Sequence, residues 1–256
     1  MDKQIILITG ASGFIGRALT KRLGRTYRVI GLDRSPAKDD PDLAASYRMD
    51  LGDDASVATA LEQVRSDFGS EIAACIHLAA YFDITGESNP LYEKVNVEGS
   101  RRLITALQAF DIEQFIYASS MLVHEPKQLP DERIDESSPL GPTWPYPQSK
   151  ADAEQVLREN RGDIPVVFLR FAGVYDDEGH SAFLAEQIAG VYEHRVSAHL
   201  YPGMLCAAQS ALHLEDLTKA VEQTIARRAD LEGELGTRRA DGRAIDKPAD
   251  ARAARA

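Results

Sequence analysis

An α/β fold built on a doubly wound parallel sheet is predicted by two features of this 256-residue chain. Short apolar runs alternate with longer helical patterns through most of its length, which places helices on both faces of a parallel sheet. The first of those runs, 4–8, leads directly into the glycine turn Thr9-Gly10-Ala11-Ser12-Gly13-Phe14-Ile15-Gly16, and a helical pattern begins where the glycines end.

The opening unit follows from its residues. Ile5, Ile6, Leu7 and Ile8 suit a buried strand, and Phe14, Ile15, Ala18, Leu19 and Leu23 fall on one side of the helix. Strand, glycine turn and helix form a dinucleotide-binding opening of the Rossmann type. Gly10 permits the tight turn, Gly13 lets backbone approach a pyrophosphate, and Gly16 lets the helix pack on the strand. The spacing is G-x-x-G-x-x-G, not the standard G-x-G-x-x-G, and Ser12, Phe14 and Ile15 complete the candidate cofactor turn. The second strand, 27–32, ends in Asp33, about 20 residues beyond the glycines. An acid there suits a ribose 2′-hydroxyl and repels a 2′-phosphate, so NAD is favoured. Arg34 keeps NADP open, because a guanidinium can stack on adenine or accept a phosphate.

Further strands are predicted near 47–49, 73–78, 114–119 and 166–170, and helices over 54–68, 89–110, 146–160, 181–191 and 215–229. Ligands of such sheets lie beyond the carboxyl ends of the strands. Asp50 and Leu51 follow the third strand and are placed to hold the adenine; helix capping is the bland alternative for Asp50, although Asp53 and Asp54 suit it better. After the fourth strand, Leu78, Ala79 and Ala80 would let backbone lie against a cofactor, whereas His77, alone on an apolar strand, reads as a packed, hydrogen-bonded residue. After the fifth comes Tyr117-Ala118-Ser119-Ser120-Met121, with a hydroxyl placed to polarise a substrate carbonyl or to form a turn.

Tyr146-Pro147-Gln148-Ser149-Lys150 sets a phenol and an ammonium four residues apart, on one face of a helix. A lysine ammonium close to the hydroxyl would lower a phenol pKa that starts near 10. Pro147 disfavours helical geometry at Tyr146, which puts the phenol at the helix edge.

Composition narrows the classes of function. A net charge of −11, from 29 basic and 40 acidic residues, argues against a general nucleic-acid or anionic-membrane surface. Cys75 and Cys206 make neither a disulfide framework nor a metal-ligand spacing, and His124, His180, His194 and His199 add none, so no metal is expected. A reducing cytoplasm is the expected location, since no 18-residue apolar stretch or leader-like start is seen.

Together these motifs resemble the extended short-chain dehydrogenase/reductase family, the NAD-dependent epimerase/dehydratase type, from about Lys3 to Ala229. Gly10, Gly13 and Gly16 match its glycine motif, Asp33 its ribose acid, Asp50 its adenine-side acid, and His77 to Ala80 its H-x-A-A segment. Asn96-Val97-Glu98-Gly99 matches its Asn-Val-x-Gly segment. The resemblance implies a catalytic set of Ser120, Tyr146, Lys150 and Asn96, hydride transfer to or from a nicotinamide, and a small alcohol, ketone or sugar as substrate. Tyr146 would exchange the proton, and Lys150 would hold the nicotinamide ribose. A homodimer through 89–110 and 146–160 is also implied.

Departures from the family pattern restrict the substrate. Gly173 stands where the family's Leu-Arg-x-x-Asn-Val-Tyr-Gly carries Asn, which puts a nucleotide sugar in doubt. Ser120-Met121-Leu122 lacks the acid pair of the dehydratase branch, and Val123-His124-Glu125 replaces Val-Tyr-Gly. The 143–147 segment is similar to the 3β-hydroxysteroid dehydrogenase-like branch, and Tyr81, Phe82, Met121 and Trp144 would suit an apolar wall. The expected organisation is a dinucleotide-binding core with the catalytic helix over 1–170, a partial substrate lobe over 171–231, and a disordered or atypical tail over 232–256. An alternative reading is a non-catalytic dinucleotide-binding or sensor protein.

Overall fold

The computed structural model describes residues 3–37, 39–83, 85–127, 133–195 and 210–230. Cys206, His199 and the expected tail over 232–256 lie outside the described residues. The main sheet has six strands: β1 (Ile5–Thr9), β2 (Arg28–Asp33), β3 (Ala45–Arg48), β5 (Ala74–His77), β7 (Phe115–Ser120) and β8 (Val166–Phe171). Its order is β3-β2-β1-β5-β7-β8, with every neighbouring pair parallel. Counting only these strands, that is 3-2-1-4-5-6, the order of dinucleotide-binding sheets.

The period-2 alternation of strand side chains divides the core. Ile5, Leu7, Ile30, Leu32, Cys75, Phe115 and Tyr117 face α2 (Asp54–Phe68), α3 (Glu98–Leu107) and α4 (Pro145–Asn160). Ile6, Ile8, Val29, Ala74, Ile76 and Ile116 face α1 (Phe14–Leu23) and α6 (Leu214–Ala226). Arg22 ties the latter two helices by donating to Thr218 and pairing with Glu222. A further helix, α5, spans Ala182–Tyr192.

Expected and observed elements differ in four places. The expected continuous helix over 89–110 contains a π-helical stretch, Tyr92–Val97, before α3 begins. Two small parallel pairs, β4 (Glu71–Ile72) with β6 (Asp111–Ile112) and β9 (Gly173–Tyr175) with β10 (Ala211–His213), are additional to the expected strands. They are two or three residues long, too short for periodicity to register. A 3-10 turn, Met121–Val123, follows β7, and backbone bonds from Glu125 to Pro139 and from Gly141 to Val123 pin the segment leading to α4.

Candidate active site

The sheet order reverses between β1 and β5, and there the glycine turn is packed against the segment after β5. Gly10 has φ +73°, and a Cβ on it would lie 2.9 Å from the Ala79 nitrogen. A Cβ on Gly16 would stand 2.1 Å from the Gly10 carbonyl oxygen, whereas one on Gly13 would meet that same oxygen only at 3.2 Å. Gly16 is therefore needed for packing inside the turn, and Gly13 faces outward as an exposed position. Gly13 also caps α1 without any side-chain bond, which leaves first-turn N–H groups for an anion.

Asp33 is braced for its expected role. Its carboxylate accepts from the Ser12 amide at 3.1 Å and from the Ser35 amide at 3.1 Å, which aims the group beside the turn. Arg34 is exposed next to it. Asp50 accepts from the Gly52 amide at 2.8 Å, while the helix cap is Asp53, as its spacing suggested. Leu51 is only 3% exposed, its side chain packed in the core against Gly99. The Cβ-less Gly99 makes that inward packing available. Ser12, Phe14, Ile15, Leu78, Ala79 and Ala80 surround the turn, all partly accessible.

Proton bookkeeping fixes His77 as a structural residue. Ser100 donates to the Asn96 carbonyl, so it accepts from His77 Nε2–H at 3.0 Å; His77 Nδ1 then accepts from Thr9, whose oxygen accepts from the Ala79 amide. Burial and the nearby Lys150 hold the imidazole neutral, with its pKa pushed down to about 3. Because this lies below the ordinary 6.5, the unfolded chain binds a proton that the folded chain refuses between those values. Stability is expected to fall as pH is lowered across that window, by up to ~1.4 kcal/mol per pH unit. The slope of melting temperature between pH 6 and 4 should be shallower in His77→Gln than in the parent protein; equal slopes would contradict the assignment.

Asn96, expected in the catalytic set, is 1% exposed and its amide is fully committed. Its Oδ1 accepts from the Tyr81 amide at 2.7 Å, and its Nδ2 donates to the Tyr81 carbonyl and to Ser149 Oγ. Ser149 donates to the Tyr146 carbonyl at 2.7 Å. Asn96, carried by the π-helical stretch, is thus linked to the Tyr146 backbone through Ser149.

Tyr146, part-buried, lies among Phe82, Trp144 and Tyr92, with ring centroids 4.7, 5.6 and 6.4 Å away. Ser120 ends β7; its hydroxyl oxygen accepts from the Leu122 amide, which leaves the proton free to donate. The Lys150 amine is buried, donates to the Ala118 carbonyl at 2.9 Å and sits over the Tyr117 ring at 4.8 Å. The expected lowering of the Tyr146 pKa by Lys150 is not seen. Burial around the hydroxyl, then the Tyr92 hydroxyl, push it up to about 12. Lys150 is directed to Ala118, 5.9 Å from the Tyr146 ring centre, and burial brings its own pKa down to about 7, so it carries only part of a charge at neutral pH.

Ser149, Tyr92, Glu154 and Arg170 take part in the site although the sequence pattern assigns them no role. Glu154 had a legible signal, a second four-residue step along the stripe of Tyr146 and Lys150. His180, given no role from sequence, packs on Phe14 at 5.6 Å and is held by Asp176 at 2.6 Å, bringing the segment after β9 to the glycine turn. Among the described residues no His, Cys, Asp and Glu group has the arrangement of a metal site, and no helix is long and apolar enough to cross a membrane.

A six-stranded parallel sheet with a glycine turn at its switch point, and a serine, tyrosine and lysine beyond it, defines a Rossmann-like dinucleotide-binding protein of the short-chain dehydrogenase type. The chain belongs to the NAD dependent epimerase/dehydratase family, whose sequence profile matches residues 6–234. Its relatives include mouse 3 beta-hydroxysteroid dehydrogenase type 7, 32% identical over 198 residues (69% of this chain, 51% of that one). Human dTDP-D-glucose 4,6-dehydratase is 27% identical over 229 residues (84% and 63%). The UDP-glucose 4-epimerase of Thermus thermophilus, solved as a complex with NAD, superposes with a TM-score of 0.67 at 25% identity, covering 87% of this chain and 74% of that one. The chain spans about half the length of the first curated relatives it matches.

Proposed function

We propose that this protein is an NAD-linked oxidoreductase or epimerase acting on a secondary alcohol or ketone. The observation that carries the reading is that Lys150, 5.9 Å from the Tyr146 ring centre, bonds the Ala118 carbonyl two residues before Ser120 at the end of β7, in a fold whose glycine turn carries a braced acid, Asp33. The residues fit the cofactor: the uncapped start of α1 with Gly13 suits a pyrophosphate, and the Asp33 carboxylate suits a ribose 2′-hydroxyl. When bound, NAD supplies the hydride acceptor or donor.

The protein's own residues supply the rest. Tyr146 exchanges a proton at the substrate oxygen. Ser120 donates a hydrogen bond to that oxygen as charge develops on it. Lys150, its amine bonded to the Ala118 carbonyl, has further N–H groups to offer the nicotinamide ribose. The Phe82 and Trp144 rings beside Tyr146 favour an apolar portion next to the reacting carbon; Phe82 is 56% exposed. The relatives' names cover a dehydrogenase, a dehydratase and an epimerase, so they support the family's chemistry without choosing the substrate.

Binding and turnover test this reading together. NAD is expected to bind more tightly than NADP in calorimetric titration, and Asp33→Ala should weaken NAD by about tenfold or more while leaving NADP little changed. Activity is sought across UDP-sugars and hydroxysteroids. Tightly retained NAD without net NADH formation marks an epimerase, and released NADH marks a dehydrogenase. NAD binding without turnover on any of these substrates would instead favour a sensor.

A further inference from the structure

His124 stands where the turn after β7 meets two other parts of the fold. Its ring is 5% exposed and bonded at both nitrogens. Arg170 Nη1, from β8, lies 3.1 Å from Nε2, and the Ser138 carbonyl oxygen lies 3.0 Å from Nδ1. A guanidinium only donates and a carbonyl only accepts, so Nε2 is the acceptor and Nδ1 carries the proton. The ring is therefore neutral and held in one tautomer. Arg170 is itself fixed: Glu154 on α4 accepts from its Nε and Nη2 at 3.0 and 2.7 Å, which leaves Nη1 for the histidine.

We propose that His124 is a positioning residue for Ser120, its ring clamping the 3-10 turn Met121–Val123 between Arg170 of β8 and the Ser138 carbonyl ahead of α4. This rests on the role of Ser120 given above. Ser120 caps that turn: its Oγ accepts from the Leu122 amide at 3.2 Å, and the His124 amide closes the turn on the Met121 carbonyl at 3.1 Å. The direction of the serine hydroxyl thus depends on where the turn ends. Ser119 and Arg170 are register partners across β7 and β8, so the guanidinium that holds the ring belongs to the strand beside the serine. On the other side His124 bridges to Leu140, and the Val123 carbonyl accepts from the Gly141 amide at 3.0 Å. An apolar ring of similar size would fill the space and fix neither direction. The clamp also depends on ring charge, because the ring accepts only while neutral, and a second proton would set an imidazolium against the guanidinium. The charged groups around it are Arg170 from β8, Glu154 and Arg158 from α4, Glu136 acting on Arg170, and Glu125, whose side chain lies over Gly141. Among the described residues none of these carboxylates bonds the ring, and Glu154 is already committed to Ser119, Arg170 and Arg158.

NMR of the protein alone tests the clamp without NAD or substrate, so failure of the functional reading would leave the result standing. With histidine labelled in nitrogen-15, His124, assigned by loss of its signals in the variants, should appear as the Nδ1–H tautomer. The Leu122 amide reports the bond to Ser120, and its signal should shift with protonation of the His124 ring as pH is lowered. His124→Gln keeps one acceptor and one donor without titrating, so the amide should stay near its parent position and lose that pH-dependent shift. His124→Phe fills the space and bonds nothing, and it should displace the amide at every pH. An Nε2–H tautomer, a Leu122 amide that ignores the ring, or a shift that persists in His124→Gln overturns the proposal. So does a lowered melting temperature in His124→Phe with the amide unmoved, which would make His124 a packing residue only. If His124→Phe does not fold, the tautomer and the parent titration decide.

Discussion

Tyr146→Phe is expected to abolish turnover, by about a hundredfold to ten-thousandfold in kcat, while NAD affinity stays close to that of the parent protein. The change removes one oxygen from the group that moves the proton. It keeps the ring that packs on Phe82, Trp144 and Tyr92. Among the described residues no hydrogen bond reaches the Tyr146 hydroxyl, so its loss strands no partner. The backbone anchor survives as well, since Ser149 binds the Tyr146 carbonyl and Asn96 binds Ser149. Melting temperature should therefore move little, and calorimetric titration with NAD should give nearly the same affinity. Full activity in Tyr146→Phe would sink the acid/base assignment; equal losses of NAD affinity and turnover would place the phenol in binding instead.

The contrast between Tyr146 and Asn96 shows what the sequence made legible. The strand–turn–helix opening could be read because its glycines sit at positions where backbone chemistry leaves little choice, and Gly10 and Gly16 are confined as expected. The tyrosine and lysine could be read because four-residue spacing fixes a helix face. Asn96 was recognised, but its role depends on Tyr81 and Ser149, 15 and 53 residues away, and no local pattern reports such partners. The same limit hid the π-helical stretch. Its residues carry an ordinary amphipathic pattern, and the long-range bonds of Asn96 coincide with the altered winding. His124 was visible as a departure from Val-Tyr-Gly, yet its meaning required Arg170, 46 residues on. Lys150 marks a different limit. Spacing predicted its place on the tyrosine face, but burial lowers its charge and its bond to Ala118 sets its direction.

The glycine turn yields the second large effect, and it separates two positions that a motif treats alike. Gly16→Ala would put a methyl 2.1 Å from the Gly10 carbonyl oxygen and 2.7 Å from the Ala11 carbonyl oxygen. Both are backbone atoms, so no side chain can swing away. Relief requires α1 to move off the turn, which also disturbs Leu19 and Leu23 in the core. A cost of about 3 kcal/mol or more is expected, at the upper end for overpacking, and a fall in melting temperature of about 6 °C or more. NAD binding should be lost with it, since the first-turn N–H groups of α1 would shift. Gly13→Ala is the control. Gly13 has φ −76°, and its added methyl meets only the Gly10 oxygen, at 3.2 Å. That variant should melt within about 1 kcal/mol of the parent while binding NAD at least about tenfold more weakly, because the methyl occupies the approach to the pyrophosphate. Unimpaired NAD binding by a folded Gly13→Ala would remove the pyrophosphate from this turn, whatever the fate of Gly16→Ala.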